Sequence, residues 1–396
     1  RRQRRSALGI LRSGVGLIEL LFWAAAALLA YTYAGFPVLI GLRALLAPRP
    51  VRRAPVRARV SVLIAAHNEA DVIGQKLETV LAAADERVEV LVASDGSDDA
   101  TEEVVAAFAD RRVRLLALPR RGKASALNQA VAAASGEILV FTDANSMWAR
   151  DALPVLLAPF ADPNVGGVAG NQVYVDSLQT GLSPRGERRY WDYDRMLKEL
   201  ESRGGSVVSA TGALYAIRAA LFQPILEGVT DDFYESSGVV AQGRRLVFEP
   251  AAVAYERPAA AAGTELHRKI RVITRGLAAV VARRELLNPA RHGFYALQLF
   301  SHKVLRRLMP VPLLVLAGAA PALWSTHAVY RVAALLQLGF YGAAVAGALL
   351  RRHDHTLVRA FTVPFYFCLM NVAAAAATVN VLAGRRITSW EPADRD

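Results

Sequence analysis

The chain has 396 residues, 54% of them hydrophobic, and its 47 Lys and Arg against 35 Asp and Glu give a net charge of +12. That hydrophobic share and the positive mean hydropathy are high for a soluble protein. No element interleaves basic with aromatic residues, which argues against nucleic acid as a partner, and the single cysteine, Cys368, excludes an intramolecular disulfide and a Cys-based metal site.

In chain order, residues 15–40 come first, apolar apart from Glu19 and Thr32. The run is long enough to cross a bilayer and too long for a cleaved leader. Arginines flank it on both sides, at Arg1, Arg2, Arg4, Arg5 and Arg12 before it and at Arg43, Arg49, Arg52, Arg53, Arg57 and Arg59 after it. Basic residues beside an apolar span predict a lipid bilayer with anionic headgroups as a partner.

Four short apolar runs follow, at residues 60–66, 88–93, 113–118 and 138–141. Helical patterns fill the gaps at residues 70–84, 98–108 and 123–134. This alternation predicts an α/β domain with a mostly parallel sheet covered on both faces. Ligands of such sheets lie beyond the carboxyl ends of the strands. Polar clusters sit at all four of those ends: His67-Asn68-Glu69, Ser94-Asp95-Gly96-Ser97, Gly122-Lys123 and Asp143-Ala144-Asn145. Asp-x-Asn at a strand end offers two oxygen ligands to a hard divalent cation, and it also serves simply to make a turn.

From Leu266, apolar residues recur at helical spacing through Ile270, Ile273, Leu277 and Val281. Arg268, Lys269, Arg271, Arg275, Arg283 and Arg284 fall between them. Such a helix lies in the bilayer interface or packs on the sheet domain with a solvated face. A second amphipathic segment covers residues 295–308. Apolar runs at residues 309–324, 332–350 and 361–383 predict about three further spans, the first of them crowded with Pro310, Pro312 and Pro321. The expected organisation is therefore a transmembrane helix with a basic linker (1–57), a sheet domain (58–263), interfacial helices (264–308) and a C-terminal membrane region (309–396).

Taken together, the strand-end clusters, Ala126-Leu127-Asn128 after Lys123 and Thr230-Asp231-Asp232 resemble, in order, the landmarks of family 2 glycosyltransferases. The likeness is to the membrane-embedded branch of cellulose, hyaluronan and poly-N-acetylglucosamine synthases, over roughly residues 58–280. It implies a GT-A-type nucleotide-sugar-binding domain, flanked by transmembrane and interfacial helices. It also implies a metal-dependent inverting transfer from a nucleotide sugar, a UDP-sugar first, to a polysaccharide or lipid-linked acceptor. The enzyme would be a multi-pass inner-membrane protein with a cytosolic catalytic domain.

The resemblance also implies roles. Asn68, Glu69 and Asp95 serve the nucleotide sugar, with Asp95 accepting hydrogen bonds from base or ribose; Glu69 also reads as a first-turn acid and Asp95 as part of an Asp-Gly turn. Lys123 brings positive charge to phosphate at a helix start. Asp143, with Asn145, holds the cation (Mg or Mn), although relatives carry Asp-x-Asp and an amide is the weaker ligand. Asp232 is the catalytic base and Asp231 its acceptor-side neighbour; adjacent carboxylates raise each other's proton affinity, and the pair also reads as a helix cap. Thr211 and Gly212 form an acceptor loop, and Arg271 reaches diphosphate. Processive relatives carry Gln-x-x-Arg-Trp where this chain has Arg268-Lys269-Ile270-Arg271-Val272, so the aromatic acceptor platform is lost and Tyr190 or Trp191 would have to replace it.

Two other classes compete. A degenerate nucleotide-binding domain would make this an assembly or regulatory subunit, and Glu19 within a span prompts a transporter. Retention of Asp95, Lys123, Asp143 and Asp232 together favours the enzyme.

Overall fold

The computed structural model describes residues 2–174, 185–256, 265–350 and 358–385. Eight strands form one sheet: β1 (Val60–Ala66), β2 (Val88–Asp95), β3 (Val113–Leu118), β4 (Ile138–Phe141), β5 (Ser146–Trp148), β6 (Val165–Tyr174), β7 (Tyr215–Arg218) and β8 (Arg245–Glu256). Their order is β3-β2-β1-β4-β7-β6-β8-β5. β3, β2, β1 and β4 are parallel, as the alternation predicts. β1 is buried along its whole length, which is why it reads as an unbroken apolar run.

Successive residues alternate between two cores. Leu63, Leu91 and Leu139 join one, whereas Val62, Val90 and Val140 join the other. Helices Ala70–Ala83 and Lys123–Ala133 cover opposite faces. The helix expected over 98–108 is shorter, Thr101–Ala106. Asp99 bends the preceding turn, because its Oδ1 accepts from Thr101 N at 3.0 Å and its Oδ2 from Ala70 N at 3.1 Å.

Two antiparallel insertions complete the site. β7 runs antiparallel to β4, with Tyr215 opposite Phe141, so the residues leaving β4 lie beside those entering β7. β5 pairs antiparallel with the end of β8, with Ser146 opposite Glu256.

Among the described residues, three helices are long and apolar enough to cross a membrane: Gly14–Leu46, Ala328–Leu350 and Ala360–Leu382. The first widens to a π turn at Tyr31–Gly35, immediately before Pro37. Proline removes one helical N–H and crowds the carbonyl four residues back, and the wider turn accommodates it. The proline-rich run folds as Pro310–Ala322, which meets Phe294–Leu308 at a 51° bend. Phe22 packs with Ala319, Ala320, Leu323 and Tyr330, which ties the first span to the later ones.

The basic amphipathic helix is Glu265–Ala282. Its apolar stripe rests on the last membrane helix, where Leu266, Ile270, Ile273 and Leu277 meet Met370, Ala373, Ala374 and Ala377. Its other side reaches the sheet domain, since Arg275 donates from Nε and Nη2 to Val229 O at 3.1 and 2.8 Å. The helix therefore links the two parts of the molecule.

Candidate active site

Asn68, at the end of β1, has φ of 55°. Asparagine tolerates this left-handed geometry. Its Oδ1 accepts from Asp98 N at 3.0 Å and its N–H donates to Ser97 Oγ at 3.2 Å, clipping the β1 loop to the β2 loop. Glu69 is buried at the N-cap of the next helix, and its N–H donates to Thr101 Oγ1 at 2.8 Å.

Asp95, at the end of β2, is almost wholly buried. Its carboxylate accepts from Arg121 N at 2.7 Å and from Gly122 N at 3.0 and 2.9 Å. It thus holds the loop that starts the helix carrying Lys123. Gly122 has φ of 92°, a conformation that only glycine adopts without strain.

Lys123 is the hub. Its Nζ lies 2.7 Å from Asp143 Oδ1 and 2.7 Å from Asp231 Oδ2. Burial opposes its charge, but the two carboxylates outweigh burial and push its pKa up. For Asp231 burial pulls upward, and Lys123 outweighs it and holds the carboxyl below its usual range. Asp232 makes no such pair. Burial first, then the charge of Asp231, push it up to about 6. Both acids lie in the first turn of helix Asp231–Ala241, with Thr230 at the cap position, and Asp232 Oδ1 accepts from Phe233 N at 2.7 Å.

The close approach of β4 and β7 explains Gly212. Asp143 N donates to Gly212 O at 3.1 Å, and a Cβ on Gly212 would lie 2.6 Å from Asp143 Oδ2. The expected acceptor loop therefore backs the Asp143 carboxylate at this glycine. Thr211 Oγ1 beside it is buried without a hydrogen-bond partner. Gly212→Ala is expected to displace Asp143 and to lower turnover by roughly 10²-fold, the scale of a 1 Å misplacement. A melting temperature that falls little while turnover collapses would distinguish this from unfolding.

Thr142, one residue earlier, ties the same junction. Its hydroxyl donates to Ala213 O at 2.6 Å and accepts from Lys76 Nζ at 2.6 Å and Trp148 Nε1 at 3.1 Å. Lys76 is completely buried, also donates to Ser146 O, and lies over the Trp148 ring. Burial lowers its pKa well below the usual lysine range, opposed by the charges of Asp143 and Glu256.

Asn145 Nδ2 donates to Glu256 Oε1 at 3.3 Å, and Gln172 Nε2 donates to Glu256 Oε2. Glu256 is pushed up to about 7 by burial and then by the charge of Asp143. Among the described residues no three His, Cys, Asp or Glu side chains converge as a metal cage. A cation shared with diphosphate and water needs only one or two protein carboxylates. The oxygens of Asp143 and Asn145, at one strand end with room maintained by Gly212, fit that arrangement.

Arg271 is brought into no hydrogen bond or ion pair with a described residue; Arg275, one turn later, makes the contact behind Asp231. The side chains of Tyr190 and Trp191 lie outside the described residues.

Residues 61–225 match the family described as Glycosyl transferase family 2. That stretch of the sheet domain is similar to glycosyltransferase family 2. A poly-beta-1,6-N-acetyl-D-glucosamine synthase of Staphylococcus aureus is 26% identical to this chain over 206 residues, 50% of this chain and 49% of that protein. The chain thus spans about half the length of the curated relatives it matches. The succinoglycan biosynthesis protein ExoO of Rhizobium meliloti is 40% identical over 120 residues, covering 30% of this chain and 33% of that protein. Among solved structures, the mannosyltransferase PcManGT from Pyrobaculum calidifontis, in complex with GDP-Man and Mn2+, superposes with a TM-score of 0.66 at 27% identity, covering 92% of this chain and all of the other.

Three charged side chains near this cluster, Lys76, Glu235 and Glu256, are not among the residues that the sequence singles out. Lys76 shares a helix face with Ile73, Leu77 and Val80, so a charge on an apolar stripe was the available signal. Glu235 shares a helix face with Val239, and burial pushes it up to about 8 against the pull of Arg283. Glu256 had no local signal, because its neighbour Asn145 is reached only through the β5–β8 pairing.

Proposed function

We propose that the protein transfers a sugar, with inversion, from a nucleoside diphosphate sugar to a polysaccharide or lipid-linked acceptor at the membrane. The observation that supports this best is Lys123 held between Asp143 and Asp231, with Asp232 beside them and in no ion pair among the described residues. Asn68, Glu69 and Asp95 shape the nucleotide side of the cleft. The Asp232 carboxylate takes the proton of the acceptor hydroxyl. The acceptor oxygen then bonds to the anomeric carbon as the bond to diphosphate breaks, the electron pair leaving with the diphosphate oxygen. Lys123 keeps its proton and presents positive charge to the leaving group. A divalent cation bound through Asp143 and Asn145 would supply further neutralisation of that charge. The apolar helices hold the domain against the bilayer, with the domain on the cytosolic side of the inner membrane.

UDP-sugars are the first donors to test, by the likeness to the synthase branch. GDP-hexoses are the second reading, favoured by the near whole-chain likeness to the mannosyltransferase. Donor hydrolysis and transfer, screened over UDP- and GDP-sugars with manganese, with magnesium and with chelator, is expected to single out one nucleotide and to require metal. Nucleotide binding with no turnover for any donor would favour the regulatory-subunit reading instead.

A further inference from the structure

A cavity of about 360 Å³ lies at the opposite end of helix Asp231–Ala241 from the catalytic aspartates. Ten residues at 1.5 Å each separate the two ends by about 15 Å. Arg43, Arg49, Arg244, Arg245, Arg291 and His292 line it, and no Asp or Glu does. Among the described residues none of the five arginines is ion-paired. Arg245 donates to the carbonyls of Arg49 and Gly205 at 2.9 Å each, Arg244 donates to Pro163 O at 3.0 Å, and Arg43 stacks 4.2 Å over the Phe294 ring. His292 Nε2 is buried with no hydrogen-bond partner. Asp162 acts on Arg245 and Glu285 on His292, but neither lines the cavity, and the five guanidinium groups repel one another, so the arrangement favours an anion.

We propose that this cavity binds a phosphate-bearing anion, either the headgroup of an anionic phospholipid or a free phosphate compound. Guanidinium groups match phosphate oxygens in geometry as well as charge. The volume falls within the usual range of small-ligand sites, about 300–1,000 Å³. The floor comes from the start of β8, whereas Arg43 and Arg291 belong to segments that continue into the membrane region. Leu42, Leu45, Leu46, Leu297 and Phe300 expose apolar surface on those segments. That places the arginines at the depth of lipid headgroups, where each basic residue strengthens attraction to an anionic surface.

The test uses the full chain in detergent, exchanged into an equal mixture of phosphatidylglycerol and phosphatidylcholine, with retained lipid read by native mass spectrometry. A calorimetric titration with inorganic phosphate, without lipid, forms the second arm. Wild type is compared with Arg49→Ala/Arg291→Ala, since both residues are exposed at the rim and outside the catalytic cluster. Selective retention of phosphatidylglycerol, weakened roughly 30-fold in the double variant at about fivefold per arginine, assigns a lipid headgroup. Phosphate binding that the same variant weakens, without lipid selectivity, assigns a soluble anion. No selectivity and no phosphate binding, or binding that the variant leaves unchanged, overturns the proposal. Arg291→Gln alone serves as the milder variant if the double one melts early.

Discussion

Asp232→Asn is expected to lower transfer by roughly 10²–10⁴-fold, the range for loss of a general base, while donor affinity survives. The side chain keeps its shape but can no longer take a proton. Asp232 acts deprotonated and is held at about 6, so the wild-type rate should rise with pH through that value and then level off. Asp231→Asn separates the two acids. Removing its charge takes away one of the causes raising Asp232, so the rising limb should move to lower pH. It also removes one partner of Lys123, so donor affinity should weaken in this variant and not in the other. A rate profile unmoved by Asp231→Asn, or intact transfer in Asp232→Asn, would place the base elsewhere.

Asp143→Asn is expected to cost roughly 10²–10³-fold in turnover, comparable to losing one preorganised electrostatic contact to developing charge. Asp143 is the only carboxylate in the strand-end motif, since Asn145 is an amide directed to Glu256. Titration of the nucleoside diphosphate with and without manganese checks the mechanism. Wild type should bind more tightly with metal, and the variant should lose that difference. Turnover that is insensitive both to this substitution and to chelation would remove the cation from the reading.

The parallel half of the domain was legible because its information is local. Each of β1, β2 and β4 is a contiguous apolar run, and its polar motif follows within a few residues, so sequence adjacency and position at the sheet edge coincide. The antiparallel half was not legible in this way. β7 contributes only Tyr215–Arg218, and nothing in those residues says that they pair with β4. That pairing is nevertheless what brings Gly212 against Asp143 and turns an expected sugar-facing glycine into a backing for a carboxylate. The amphipathic helix Glu265–Ala282 offered its stripe to any apolar surface, and periodicity does not choose between a bilayer, a sheet domain and the last membrane helix.

By itself the sequence determined the chemistry on offer and its location: an acid, a lysine and a strand-end Asp-x-Asn at the carboxyl edge of a parallel sheet, beside segments apolar enough to span a bilayer. Tertiary structure decided how the surroundings of Asp231 and Asp232 differ. Two neighbours in a chain read alike, but successive residues of a helix point about 100° apart. That rotation directs Asp231 to Lys123, where a cation keeps it charged. Asp232 turns away from that cation, and burial beside a like charge leaves it able to take a proton.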